Sequence, residues 1–119
     1  MTITLETLRE IAFALPGVEE GMSTGTTIFL VKGKILMRLY NDNETLAMKM
    51  EENERAFLVK AEPDVYYVTE HYLNWPMVLI RLSNIDRADL AHHLEQAWRR
   101  LAPKRLVKDF DQQRSKEES

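Results

Sequence analysis

The sequence predicts an α+β domain in which an antiparallel sheet of about five strands carries N- and C-terminal helices on one face and a short helix in the middle. Two observations lead to this fold class. Apolar residues recur at three- and four-residue spacing near both ends of the chain, which indicates amphipathic helices. Between the ends, short runs of alternating apolar and polar residues are separated by turn-forming residues, which is typical of an antiparallel meander.

The first helix is predicted to follow Thr4, whose side chain is suited to cap a helix N-terminus. Its apolar stripe consists of Leu5, Leu8, Ile11, Ala12 and Leu15. Pro16 and Gly17 end this pattern. The polar residues 19–27 that follow predict a loop that can include a short edge strand. They do not form a phosphate loop, because no Gly-Lys-Ser/Thr sequence follows their glycines.

Three strands are predicted in the next part of the chain. Residues 28–31 and 35–40 are rich in β-forming side chains, and the Lys-Gly-Lys sequence at 32–34 predicts a hairpin between them. The Asn-Asp-Asn sequence at 41–43 predicts the following turn. A third strand is expected at 46–50, where apolar residues alternate with smaller or polar ones.

A short middle helix is predicted between an acidic run that begins at Glu51 and the helix-ending Pro63. Residues 65–82 are the densest apolar and aromatic stretch of the chain, and the whole fold is expected to be organised around them. This stretch begins and ends with strand patterns. A polar and aromatic turn-like segment, from Thr69 to Pro76, separates the two patterns.

The longest helix is predicted to begin near Asp86 and Asp89, which stand in the N-cap and N3 relation, and to end at Pro103. Its apolar face consists of Leu90, Leu94, Ala97, Trp98 and Leu101. We expect a single domain over residues 1–108. The strongly polar residues 109–119 predict a frayed or flexible tail.

The composition excludes several classes of function. With 119 residues and 45% hydrophobic side chains, the chain is typical of one globular domain. The absence of cysteine excludes disulfides, thiolate zinc sites, iron–sulfur clusters and cysteine nucleophiles. No apolar run is long enough for a membrane span, and no secretory leader is evident, so a cytoplasmic protein is expected. The net charge of −3 means that binding to nucleic acid would need a local basic patch.

Four segments of the chain resemble the MmcQ/YjbR family of small bacterial proteins. They are LREIAFALPGVEE, VKGKILMRL, YYVTEHYLNWPMVLIRL and AWRRLAPKRL, in this order, and the resemblance covers about residues 5–106. It implies a CyaY-like α+β fold. It also implies membership of a family without an established activity, for which a double-wing mode of DNA binding has been proposed.

The first functional hypothesis is a weak nucleic-acid-binding module. Residues 99–108 contain five positive side chains and no negative one, and the predicted hairpin adds two lysines. Phosphate contacts need such a local positive field, and a hairpin tip can reach a nucleic-acid backbone. The candidate contacts are Lys32, Lys34, Arg99, Lys104 and Arg105. In a double-wing arrangement, part of the loop from Thr69 to Trp75 forms the second wing. The alternative is that these charges only solvate the surface or favour a helix end.

The second hypothesis is a small-molecule binder or an enzyme with a pocket in the aromatic segment. Its residues are Tyr67, His71, Asn74 and Trp75. His71 can transfer protons or bind a ligand, but no catalytic partner is evident, so no catalytic residue is assigned. The structural alternative is that His71 and Asn74 bond to main-chain groups and hold the loop between its strands.

The third hypothesis is an interaction or structural protein that uses an exposed sheet edge or sheet face, as a monomer or weak homodimer. No cofactor is predicted. His92 and His93 are adjacent on a predicted helix and therefore point about 100° apart, so they cannot face one metal ion together. His92 and Glu95 share a face, but two ligands are too few for a metal site. The sequence therefore predicts no metal centre.

Overall fold

The computed structural model describes residues 3–118 and confirms the α+β fold. Six antiparallel strands form one sheet in the order β1-β2-β3-β4-β6-β5. The strands are β1 (Val18–Ser23), β2 (Thr26–Val31), β3 (Lys34–Leu39), β4 (Thr45–Lys49), β5 (Tyr66–Tyr67) and β6 (Met77–Arg81). The helices are α1 (Leu5–Phe13), α2 (Glu52–Ala61), α3 (Arg87–Leu101) and α4 (Lys104–Glu118), with one 3₁₀ turn at Glu70–Tyr72.

Two tight hairpins connect the first three strands. Each has two residues with positive φ at its tip, Thr24 and Gly25 in the first and Lys32 and Gly33 in the second. This geometry matches the right-handed twist of the flanking strands. The predicted hairpin at 32–34 is therefore present. The first hairpin makes residues 18–23 a full edge strand, so the sheet has six strands where about five were expected.

One face of the sheet forms the main core. Leu46 and Met48 lie on this face opposite Ile80 and Val78, and all four side chains are fully buried. Helices α1 and α3 cover this face with their predicted apolar stripes. The buried apolar residues of these stripes are Leu8, Ile11 and Ala12 on α1 and Leu90, Leu94, Ala97 and Trp98 on α3.

The C-terminal residues differ from the flexible tail that the sequence predicted. Residues 104–118 form one helix, α4, which packs against α3. The Phe110 ring lies 5.1 Å from the Trp98 ring, centroid to centroid, and the Arg99 guanidinium donates to both carboxylate oxygens of Asp111. Arg114 donates to Glu95 in the same way. Local polarity predicted disorder, but these long-range contacts give the segment a surface to pack against.

Arg55 is a buried arginine that holds the segment between β5 and β6 in place. Its side chain is 7% exposed and points from α2 toward this segment. The guanidinium donates to four main-chain carbonyls, those of Tyr72 (3.1 Å), Leu73 (3.2 Å), Trp75 (2.6 Å) and Met77 (3.0 Å). Five N–H donors on one planar group allow a single side chain to satisfy several carbonyls of an irregular loop.

We expect Arg55→Ala to lower the free energy of unfolding by about 3 kcal/mol or more, because it removes four hydrogen bonds that a buried, charged donor makes to main-chain carbonyls. Arg55→Lys keeps the charge but loses the planar fork, so its effect should be intermediate. Urea unfolding measures both. The exposed Phe57 on the same helix provides the control, since Phe57→Ala should change stability by less than about 0.5 kcal/mol. Equal stability of Arg55→Ala and the parent chain would contradict this role.

Candidate functional site

The two predicted basic segments lie at the same end of the sheet. Lys32 and Lys34 are exposed at the tip of the β2–β3 hairpin, and Lys104 and Arg105 are exposed in the first turn of α4. We call this region, which consists of the hairpin tip and the start of α4, the basic end.

Gly17 is the point at which the two parts of the basic end meet. A Cβ atom on Gly17 would lie 2.9 Å from Leu106 Cδ1 and 3.6 Å from Val31 Cγ2. Leu106 directly follows Arg105, and Val31 directly precedes Lys32. Gly17 also has a φ of +77°, a conformation that other residues rarely adopt. The backbone conformation therefore favours glycine here, and a Cβ atom would also have to displace the Leu106 side chain.

The charges of the basic end are not neutralised within the protein. In the described part of the chain, Lys32, Lys34, Lys104 and Arg105 form no ion pair with a carboxylate. Lysine and arginine in the first turn of a helix also oppose the helix dipole, whose positive end lies there. An anion bound at this end would offset both effects.

Arg99 has a different environment from the other four candidate contacts. Its guanidinium lies 3.0 Å from Glu95 Oε2 and 2.7 Å from Asp111 Oδ1. Hydrogen bonds from Arg114 and Arg99 hold the pKa of Glu95 below its ordinary value, so that carboxylate is ionised at neutral pH. The positive charge of Arg99 is thus used to join α3 to α4. Beside it, α4 borders an open groove of about 840 Å³ whose lining includes Lys104 and Lys108.

The loop between β5 and β6 leads into β6 at the same end of the sheet as the basic end. The first residue of β6, Met77, pairs with Lys49, the last residue of β4. Because β4 runs antiparallel to β3, Lys49 lies at the end of the sheet where Lys34 begins β3. Trp75, in this loop, has a side chain that is 56% exposed.

The structure divides the four residues of the predicted pocket between two separate depressions. Tyr67 and His71 line a hollow of about 420 Å³, whereas Asn74 and Trp75 line a recess of about 270 Å³ next to Arg55. The His71 ring packs edge-on against the Tyr72 ring at 4.8 Å. Within the described residues, Arg55 is the side chain that donates to the loop carbonyls. The structural alternative had assigned the main-chain hydrogen bonds of this loop to His71 and Asn74.

The buried contact between His93 and Tyr66 was not predicted from the sequence. The Tyr66 hydroxyl lies 2.7 Å from His93 Nε2, and Glu54 Oε1 lies 3.6 Å from His93 Nδ1, which has no hydrogen-bond partner. Burial lowers the pKa of His93, and the opposing effect of Glu54 is smaller. His93 is therefore a neutral core residue that links α3 to β5.

Across residues 3–118, no group of three or more histidine or acidic side chains is arranged to hold a metal ion. No helix in that range has the length and apolar character that crossing a bilayer requires.

Comparison with known proteins identifies relatives without an assigned activity. The model of the YjbR family matches residues 13–100. Uncharacterized proteins of Mycobacterium bovis and Mycobacterium tuberculosis are 40% identical over 60 residues, or 50% of this chain and 46% of each relative. The chain thus spans about half the length of the curated relatives it matches.

A solved structure shares the fold. The crystal structure of Deinococcus radiodurans protein DR2400, whose domain is described as DUF419, superimposes with a TM-score of 0.71. The two sequences are 20% identical, and the superposition covers 82% of this chain and 77% of that one. The family match ends at residue 100, so helix α4 lies outside it.

We expect acid to destabilise the fold through His93. As the pH falls below 6.5, the ordinary pKa of histidine, the unfolded chain takes up a proton that the buried ring resists. The free energy of unfolding should then decrease by up to about 1.4 kcal/mol per pH unit until the folded protein is also protonated.

Urea unfolding of the parent chain and of His93→Gln, between about pH 5 and pH 8, tests this expectation. Glutamine keeps a polar partner for the Tyr66 hydroxyl but does not titrate. Carboxylates away from position 93 contribute equally to both proteins, so the difference between the two slopes reports His93 together with its neighbour Glu54. Identical slopes would show that the ring does not resist protonation.

Proposed function

This chain belongs to the YjbR family, as its sequence resemblance indicated, and we propose that it is a binding module that contacts the phosphate backbone of DNA through its basic end. The observation that carries the proposal is the convergence at Gly17 of two basic segments whose four candidate contacts form no ion pair within residues 3–118. The proposed contacts are Lys32, Lys34, Lys104 and Arg105.

The geometry of each segment suits a phosphate. Lys32 lies in the two-residue tip of the β2–β3 hairpin and Lys34 begins β3, and both are exposed. Lysine side chains are long enough to reach a nucleic-acid backbone without a pocket. At the start of α4, two cations stand at the positive end of a helix dipole. Phosphate oxygens are favoured at such helix ends.

The other candidate contacts have secondary roles in this proposal. Arg99 orients α4 through its ion pairs with Glu95 and Asp111, so it acts by positioning Lys104 and Arg105. The loop that carries Trp75 corresponds to the second wing. One strand, β4, separates β3 from β6, so the loop re-enters the sheet about 10 Å from the hairpin. The exposed Trp75 ring can stack on a base there.

A negatively charged protein can bind in this way only through a local field. The net charge of −3 gives no overall attraction, so the affinity should be weak and strongly dependent on salt. Contacts to phosphates also carry no direct information about base sequence. The proposed module should therefore bind duplexes of different sequence with similar affinity.

We expect the double variants Lys32→Gln/Lys34→Gln and Lys104→Gln/Arg105→Gln each to weaken binding to a duplex. Each variant should reduce the slope of log affinity against log salt concentration by about 1.8, the value for two lost phosphate contacts. Fluorescence anisotropy of a labelled duplex across a salt series measures both quantities.

Lys60→Gln is the matched control, because Lys60 is an exposed lysine on α2, away from the basic end. It should bind like the parent chain. The proposal fails if the parent chain does not bind at low salt, if its affinity does not fall as salt rises, or if all three variants lose affinity equally.

A further inference from the structure

A second cluster of buried apolar residues lies on the sheet face opposite the helices. It consists of Ala47, Met77 and Leu79. Ala47 and Leu79 are paired across β4 and β6, and they alternate with the core residues of those strands. Among the described residues, three tyrosine rings pack against this cluster: Tyr40, Tyr67 and Tyr72. On this face, tyrosines therefore shield the sheet from water, as helices do on the other.

The hollow that contains Tyr67 and His71 lies between these rings. Its volume of about 420 Å³ is within the range of small-molecule sites. Its lining consists of Tyr40, Asp42, Thr45, Tyr67, Thr69, His71, Tyr72 and Leu79. The apolar surface comes from Leu79 and from the tyrosine rings, and the polar groups are hydroxyls, the His71 ring and the Asp42 carboxylate. Aromatic faces beside a small number of hydrogen-bonding groups suit a small ring that carries a polar substituent.

A pair of hydroxyl groups provides a hydrogen-bond donor in the hollow. Tyr40 and Tyr72 bond to each other through their hydroxyls. Burial, with a smaller contribution from this bond, raises the pKa of Tyr72 to about 12, so its hydroxyl keeps its proton at neutral pH. One of the two hydroxyl protons forms the hydrogen bond between the two tyrosine oxygens. The second hydroxyl proton is free to donate to an acceptor.

The charges around the hollow favour an acceptor over a cation. The Arg81 guanidinium lies 4.0 Å from the centre of the Tyr67 ring, and the positive charge of Arg38 acts on the Tyr72 hydroxyl. The Asp42 carboxylate already accepts bonds from two N–H groups and one hydroxyl of its own turn. The oxygens of Asp42 are therefore occupied by hydrogen bonds within the turn. The face of the Tyr67 ring that would attract a cation is already covered by Arg81.

We propose that this hollow binds a small flat aromatic ring that carries a hydrogen-bond acceptor, such as an aryl carboxylate. The ring packs on Leu79 between the tyrosine rings, and its acceptor group takes the free proton of the Tyr40–Tyr72 pair. The hollow includes none of the four basic contacts, although its Thr69, His71 and Tyr72 belong to the loop that is proposed as the second wing. Tyr40 follows the last residue of β3, whereas Lys34 is the first, so the two sites lie toward opposite ends of that strand.

The proposal is tested by NMR titration with three probes, followed through the methyl resonances of Ala47 and Leu79. Benzoate is flat and has an acceptor, cyclohexanecarboxylate has the same acceptor but is not flat, and tetramethylammonium is a cation. Benzoate at millimolar concentration should shift both resonances. Cyclohexanecarboxylate should bind about fivefold more weakly, because it cannot pack as an aromatic pair.

The variant Tyr40→Phe/Tyr72→Phe removes both hydroxyls and keeps both rings, so its sheet should remain folded. It should bind benzoate about fivefold more weakly than the parent chain. Phe57→Ala, which removes an exposed ring on α2 outside the hollow, is the control and should bind benzoate unchanged.

Three results would overturn the proposal. They are the absence of benzoate shifts at Ala47 and Leu79, equal or tighter binding of cyclohexanecarboxylate or tetramethylammonium, and unchanged benzoate affinity in the double variant. Benzoate held by lysines at the basic end would shift other resonances, so the methyl signals distinguish the two sites.

Discussion

The buried guanidinium of Arg55 is the interaction on which the second half of the sheet depends. The chain must pass from β5 to β6 through residues 68–76, in which the one regular element is a 3₁₀ turn. Four carbonyls in and just after this segment point at one arginine on α2. This contact fixes the start of β6, which pairs with β4 at the centre of the core.

The two faces of the sheet are shielded from water by different means, and this asymmetry separates the two proposed sites. On one face, α1 and α3 bury large aliphatic side chains and Trp98. On the other, tyrosine rings cover a small apolar cluster and leave a hollow with hydroxyl groups. The basic end lies at the edge between the faces, where the β2–β3 hairpin and the start of α4 meet. A ligand on one site therefore need not contact the other.

Much of the fold could be predicted because it follows from local patterns. Strands β2, β3 and β4 lie where runs of β-forming residues predicted them, and the stripe of α3 needs only its own spacing to be recognised. The edge strand β1 was only partly predicted, because Glu19 and Glu20 break the alternation, although Thr24-Gly25 is a hairpin signal. Helix α4 was missed because its contacts with Trp98 and Glu95 join residues that are distant in sequence.

The candidate sites could be predicted only in part, for the same reason. The basic residues at the hairpin and after Pro103 could be recognised in the sequence as clusters of positive charge. Their proximity at Gly17 depends on tertiary packing. Arg55 is indistinguishable in sequence from a solvent-facing helix residue. The pairing of Tyr40 with Tyr72 likewise requires the loop to fold over the sheet.

The opposite environments of the two tryptophans give the protein two built-in optical reporters. Trp98 is fully buried and donates its indole N–H to the carbonyl of Pro16, whereas Trp75 is largely in contact with water. Emission from the chain is therefore a sum of a blue component from the core and a red component from the loop. A quencher dissolved in water reduces the emission of Trp75 before that of Trp98. Rearrangement of the loop can therefore be followed separately from unfolding of the core, without an attached dye.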